Sequence, residues 1–185
     1  MIYLAENIWD FNLSEALSEI SDQRREQALK FKHEQGQRLC VLAYLMLKQG
    51  LREEYDITDN PIFEYNEHGK PSIVGHPEIY FNLSHCKEAV VCAISDKPIG
   101  VDVESIREAN DSLVRYTMNE EEIREIESSG NTASAFIRFW TMKEATSKLV
   151  GTGITNDVKT LIDSSKYKYT TVDRQRYIYT IAEYA

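Results

Sequence analysis

The chain has no apolar run of membrane-spanning length anywhere in its 185 residues, so nothing in it reads as a transmembrane helix. Its first residues, Met1-Ile2-Tyr3-Leu4-Ala5-Glu6, show neither the basic start nor the apolar stretch of a secretory signal, and the expectation is a cytoplasmic protein without a membrane partner. Cysteine is scarce. Cys40, Cys86 and Cys92 are odd in number and have neither CxxC nor mixed Cys/His spacing, which argues against a disulfide framework and against a zinc centre. His85 and Cys86 are adjacent, but neighbours on a strand face opposite ways, so they do not make a Cys/His nucleophile pair. Basic charge is also short: the formal net charge is -9, which argues against nucleic-acid binding. With 42% hydrophobic and 28% charged residues, the composition is that of a soluble globular chain with room for one generous domain or two small ones.

Two segments carry the chemistry. The first is Pro98-Ile99-Gly100-Val101-Asp102-Val103-Glu104, read as a strand after a turn because β-branched residues alternate with the others. Alternation sets Asp102 and Glu104 on one face and Val101 and Val103 on the other. Two carboxylates side by side need a cation, a shared proton or open water. The second segment is expected to be a helix over Thr132–Val150, opened by Asn131 and closed by Gly151. Phe136, Trp140, Glu144 and Lys148 recur every fourth position, so they share one face. If Glu144 meets Asp102 and Glu104, three carboxylates form a ligand set for a hard divalent cation in the style of magnesium, which keeps waters and works with phosphates. Spacing alone is met equally by a solvated strand end and an ordinary helix-surface ion pair.

Elsewhere, Asn12 or Ser14 is expected to cap a helix bearing Leu13, Ala16, Leu17 and Ile20. A basic cluster follows, Arg24, Arg25, Lys30, Lys32 and Arg38; in an acidic protein it is a candidate anion site, and a solvated helix face meets the pattern as well. An apolar helix over 39–47 is expected to end near Gly50. Phe63-Glu64-Tyr65 reads as a short strand leading into a turn at 66–71, and residues 79–85 and 89–94 read as a hairpin. Asn119 is expected to cap the acidic helix that follows it, which explains its carboxylates without further chemistry. Residues 167–172 and 177–182 read as a second hairpin turned at Asp173-Arg174-Gln175.

Gly-Val-Asp-Val-Glu at 100–104, followed by Phe-Trp-Thr-Met-Lys-Glu-Ala-Thr-Ser-Lys at 139–148, resembles the bipartite signature of the 4′-phosphopantetheinyl transferase superfamily. The resemblance extends almost end to end and is closest to the longer, surfactin-type branch. It implies an α+β fold of two similar half-domains related by a pseudo-twofold, residues 1–97 and 98–185, with the site between them in a monomer. It also implies magnesium-dependent transfer of phosphopantetheine from coenzyme A to a serine of an apo acyl or peptidyl carrier protein, with manganese as an alternative ion.

On this resemblance Asp102, Glu104 and Glu144 hold the metal, Glu144 accepts the serine proton, Lys148 stabilises pyrophosphate charge and Lys143 supports it. Arg24 and Arg38 fall where basic side chains meet the coenzyme A phosphates, Lys70 of Gly-Lys-Pro lies against the adenosine, and Ser84 and His85 of Phe-Asn-Leu-Ser-His-Cys touch phosphates. The chain departs from the pattern at Gln27, where a basic residue is expected, and between His33 and Arg38, which is one residue short and lacks the usual aspartate. Two other classes remain open. A different magnesium-dependent phosphotransferase or phosphohydrolase would not need the Gly-Lys-Pro and Ser-His elements, and a non-catalytic binding protein would show eroded metal ligands.

Overall fold

The computed structural model describes residues 1–154 and 157–185. The chain opens with strand β1 (Ile2–Ala5), then helices α1 (Leu13–Glu19), α2 (Asp22–Leu29) and α3 (Glu34–Tyr55). Strands β2 (Phe63–Tyr65) and β3 (Pro71–Ile73) form a small hairpin, and β4 (Tyr80–His85) and β5 (Val90–Ser95) a larger one. The second half repeats the plan with β6 (Ile99–Ser105), helices α4 (Asp111–Thr117), α5 (Glu120–Ser128) and α6 (Thr132–Val150), and the hairpin β7 (Tyr167–Asp173) and β8 (Tyr177–Tyr184). The fold is α+β. Among the described residues no helix is long and apolar enough to cross a membrane.

Each half holds a three-stranded antiparallel sheet of the same connectivity, β1-β5-β4 in the first and β6-β8-β7 in the second. In both, a lone strand pairs with the second arm of the hairpin, and a long helix, α3 or α6, packs on the sheet. Strand β5 is buried from Val90 to Ile94, as expected of a run without polar alternation.

Helix boundaries follow local chemistry. The Asn12 side chain accepts hydrogen bonds from Ser14 and Glu15 N–H groups, and Asn131 accepts one from Ser134. Asn119 and Glu122 close a reciprocal capping box at the start of α5. Helix α6 stops at Gly151, whose φ of 81° is left-handed.

The expected stop near Gly50 is corrected. Helix α3 runs through it to Tyr55 and turns out at Asp56, also left-handed. A Cβ on Gly50 would lie 2.2 Å from Ile94 Cδ1 and 2.7 Å from the Tyr3 ring, so glycine is there to let the helix settle on β1 and β5.

The halves meet along β4 and β6. Ala89, Val91 and Ala93 of the first half share one apolar cluster with Ile99, Val101, Val103, Tyr177 and Tyr179 of the second. Strands β4 and β6 belong to different sheets, yet the β6 N–H groups on that side are not orphaned. Val101 N–H donates to Asn82 Oδ1 at 3.0 Å and Val103 N–H to Ser84 Oγ at 3.2 Å, side chains standing in for a ladder. Farther along, Tyr177 donates to Glu6 at 2.6 Å across the same boundary.

Candidate active site

The alternation of β6 sends Val101 and Val103 into the apolar cluster between the halves and leaves Gly100, Asp102 and Glu104 on the opposite face. Helix α6 lies against that face. A Cβ on Gly100 would fall 2.1 Å from the Ala145 carbonyl oxygen and 2.6 Å from Leu149 N, so this glycine brings the helix within reach of the carboxylates. From the helix, Phe136 and Trp140 stack with centroids 6.5 Å apart, and Glu144 and Lys148 continue the same stripe one and two turns on.

Lys148 is the centre of the arrangement. Its Nζ donates to Asp102 Oδ1 at 2.7 Å and to Ser84 Oγ at 2.9 Å, and Ser84 Oγ donates to the same Asp102 oxygen at 2.9 Å. Asp102 is buried, at 4% exposure, and its other carboxylate oxygen has no hydrogen-bond partner among the described residues. An orphaned buried anionic oxygen is costly. Glu144 stands in the fields of both other carboxylates. Burial pushes its pKa up to about 7, Asp102 and Glu104 push the same way, and Lys148 opposes them. Glu104 is also raised, by burial first and Asp102 second, with Arg107 and Trp140 among the groups pulling it back.

Asp102, Glu104 and Glu144 are therefore electrostatic neighbours. Among the described residues no three His, Cys, Asp or Glu side chains are drawn together tightly enough to coordinate an ion. The donor set nevertheless fits a hard divalent cation. All three groups offer oxygen, their mutual repulsion is relieved by positive charge, and the bare oxygen of Asp102 is available to it.

A cleft of about 390 Å³ opens beside this cluster and draws its walls from both halves. Glu144 and Lys148 line it from the second half; Arg24, Lys70 and His85 line it from the first. Arg24 is buried at 8% exposure. Its donors go to the Cys40 carbonyl, at 2.7 and 3.1 Å, and to Gln27 Oε1 at 3.0 Å. Both partners are neutral, so its charge remains uncompensated by them at the cleft wall, an arrangement suited to an anion. Gln27, the departure from the basic pattern, thus joins the Cys40 carbonyl in holding the guanidinium. His85 is held below the ordinary histidine pKa by the protein mass around it, then by the Lys148 and Arg24 cations.

Lys70 spans the halves: its Nζ donates to the Leu149 carbonyl at 2.7 Å, and Asn66 of the same turn donates to the Gly151 carbonyl at 3.2 Å. An ammonium at the carbonyl end of a helix is favourably placed. Burial lowers its pKa.

Two expected site residues lie elsewhere. Lys143 is fully buried on the side of α6 turned to α5, where its Nζ donates to Glu122 Oε1 at 2.8 Å and to the Val158 carbonyl at 3.0 Å. Consecutive helix positions are about 100° apart, so the neighbour of a cleft residue turns away from the cleft; the phosphate role is corrected to an interior ion pair. Arg38 is not among the described residues that line this cleft; it lies beside α1 with Asn12, Leu17 and Glu34. Its guanidinium donates to Glu34 at 2.8 Å and to the Phe11 carbonyl at 2.9 Å, and sits over the Trp9 ring at 4.8 Å, which fastens the N-terminal segment to α3.

Sequence reasoning passed over Phe31 and Tyr65, which line the cleft while staying 40% and 48% exposed. The signal available was a large aromatic beside a basic cluster in one case, and beside the Gly-Lys-Pro turn in the other. It also passed over Glu122 as an ion-pair partner, since helix capping already accounted for it.

The 4'-phosphopantetheinyl transferase superfamily model matches residues 98–181, a segment that contains Asp102, Glu104, Glu144 and Lys148. The chain is 31% identical over 140 residues to 4'-phosphopantetheinyl transferase gsp of Aneurinibacillus migulanus, a match covering 74% of this chain and 58% of that protein. It is 27% identical over 141 residues to 4'-phosphopantetheinyl transferase Sfp of Bacillus subtilis strain 168, covering 75% of this chain and 63% of that protein. With 4'-phosphopantetheinyl transferase AcpT of Salmonella typhi it shares 34% over 96 residues, 49% of this chain and 50% of that protein. The chain thus spans less than two thirds of the length of these relatives. Residues 98–181, which carry the carboxylate cluster, thus match the 4'-phosphopantetheinyl transferase superfamily model, and the chain is similar to 4'-phosphopantetheinyl transferases over about three quarters of its own length.

Proposed function

We propose that this chain transfers the 4′-phosphopantetheine group of coenzyme A to a serine hydroxyl of an apo acyl or peptidyl carrier protein, releasing 3′,5′-adenosine bisphosphate. The observation that carries this reading is the pairing, in one cleft, of a carboxylate cluster from the second half with the Arg24 guanidinium, whose hydrogen-bond partners are neutral, from the first. A pyrophosphate with an adenosine at one end needs both.

In the reaction, the serine oxygen bonds to the phosphorus bearing the pantetheine arm, and the bond from that phosphorus to the bridging oxygen breaks, the electron pair leaving with the adenosine bisphosphate. The serine proton passes to Glu144. A carboxylate whose pKa is raised to about 7 is a stronger base than an ordinary one and still largely ionised slightly above neutrality. Phosphoryl-type transfer depends on alignment and charge neutralisation more than on covalent help. Lys148 spends two of its donors on Asp102 and Ser84, leaving a third for a phosphate oxygen. Arg24 serves the remaining phosphate charge, His85 offers a ring N–H to it, and Phe31 and Tyr65 offer flat faces to the adenine. Lys70 holds the turn that walls the cleft against the end of α6.

Asp102, Glu104 and Glu144 would hold magnesium, or manganese, which when bound supplies Lewis-acid neutralisation of the pyrophosphate. On this reading the protein works in the cytoplasm as a monomer of two half-domains, residues 1–97 and 98–185, with the cleft between them. Release of 3′,5′-adenosine bisphosphate, followed by chromatography with acyl and peptidyl carrier proteins in turn, tests the reaction and the acceptor type. Product dependent on carrier, coenzyme A and Lys148 supports it; coenzyme A that binds without being consumed by any carrier refutes it.

A further inference from the structure

We propose that a basic groove on the first half, beside the cleft, docks the acidic surface that flanks the acceptor serine of the carrier protein. The inference rests on the transferase reading, since it names how the partner of that same site is held. The groove, of about 490 Å³, runs from the first turn of α3 to the turn between β4 and β5. Lys32 and His33 line one side and Lys87 the other, over a floor that includes Leu39. Among the described residues no aspartate or glutamate lines it. In a chain of net charge -9, this is a local reversal of sign.

Both lysines are exposed, and among the described residues their side chains form no ion pair or hydrogen bond. The acids nearby in sequence are engaged elsewhere: Glu34 pairs with Arg38 at 2.8 Å, and Glu88 accepts a hydrogen bond from the Ser105 hydroxyl. The amino end of α3, a helix of 22 residues, opens into the same groove and adds positive potential. A Cβ on Gly36 would fall 2.7 Å from Phe31 Cδ1, so glycine there admits the Phe31 ring against the start of α3.

Position selects the occupant. Phe31 and His85 line both the groove and the cleft, so the groove continues the cleft sideways along the surface of the first half. The acceptor serine has to reach the phosphorus at the carboxylate cluster while the body of its protein stays outside, and the surface around that serine then lies over the adjoining rim. An acidic protein is repelled by this acidic chain at long range; a positive patch at the mouth lowers that cost and fixes the orientation of approach. Neither lysine lines the cleft itself, where the coenzyme phosphates have Arg24 and Lys148.

Two measurements on the full chain test this with the double variant Lys32→Gln/Lys87→Gln. The first is fluorescence anisotropy of a labelled acyl carrier protein whose acceptor serine is replaced by alanine, without coenzyme A. Its Kd is expected to rise about tenfold, and to depend less steeply on salt than with the wild type. The second is steady-state transfer to the intact carrier, where KM for the carrier is expected to rise about tenfold, with kcat within about twofold and KM for coenzyme A within about threefold of wild type. Lys97→Gln/Lys168→Gln, which removes the same charge from exposed positions elsewhere, is the control and is expected to change neither measurement.

A raised KM for coenzyme A with KM for the carrier retained assigns the two lysines to the coenzyme and overturns the proposal. An equal loss in the control makes net charge the cause and overturns it as well. So does unchanged anisotropy in the double variant, or a wild type that binds no carrier. If the wild type binds the alanine carrier through these lysines yet transfers nothing to an intact one, the transferase reading fails while the docking surface stands.

Discussion

Replacing Glu144 by glutamine removes one of three carboxylates crowded on a half-buried face and leaves the packing volume almost unchanged. In the metal-free protein the Glu144 pKa is raised from 4.5 to about 7, so the folded chain holds a proton that the unfolded chain has already released. The stability linked to this proton is complete below pH 4.5 and is lost as pH rises through about 7. At about 1.4 kcal/mol per pKa unit the full effect is on the order of 3 kcal/mol, and solvent relaxation around a half-buried group brings it to ~1–2 kcal/mol. For a chain of this size each kcal/mol moves Tm by about 2–4 °C.

Thermal unfolding in EDTA at pH 5 and pH 8 measures it. The difference in Tm between Glu144→Gln and wild type is expected to be small at pH 5 and to favour the variant by ~3–6 °C at pH 8, although the variant no longer transfers. A variant less stable than wild type at pH 8, or an advantage that does not grow with pH, refutes the account of Glu144 as a carboxylate held against its neighbours' charge.

Gly100→Ala places a Cβ inside the Ala145 and Leu149 backbone, so it should lift α6 from β6 and cost about 2–3 kcal/mol, read as a fall in the urea midpoint, with loss of activity in the fraction that folds. Lys143→Met leaves Glu122 charged and buried without its partner; about 3–5 kcal/mol of stability should go, and adding Glu122→Gln, which keeps an acceptor for the capping bond, should recover much of it. Because Lys143 faces away from the cleft, coenzyme A affinity measured by calorimetry on the folded protein should be unchanged in that double variant. Arg24→Leu, which keeps an apolar stem but no charge, should weaken coenzyme A binding by about tenfold or more and make the remaining affinity less sensitive to salt.

Much of this arrangement was legible because its causes are local. The limits of α6 follow from an asparagine whose side chain caps the first turn and a glycine able to turn left-handed. The sharing of a face by Asp102 and Glu104 follows from strand alternation alone. What escaped depended on partners far along the chain. Gly50 reads as a helix stop, and only the approach of Tyr3 and Ile94 shows why a glycine stands inside a helix.

Lys143 and Lys148 are equally basic members of one signature, but α5 packs against one side of α6 and the cleft against the other, so one lysine pairs with Glu122 and the other with Asp102. Arg24 and Arg38 look alike in composition; the packing of the N-terminal segment on α3 takes Arg38 from the cleft. Ser84 was visible as a site residue, while its three simultaneous bonds belong to the meeting of two halves and leave no trace in the local sequence.

The most direct test of the central claim is intact-mass spectrometry of an apo carrier protein incubated with this chain, coenzyme A and magnesium, beside Asp102→Ala and Lys148→Ala controls. The account predicts that the carrier gains the mass of one phosphopantetheine on its acceptor serine with the wild type and remains apo with both variants. A carrier modified equally well by the variants would contradict the site, and carriers of both types left unmodified by a wild-type chain that binds coenzyme A would contradict the reaction.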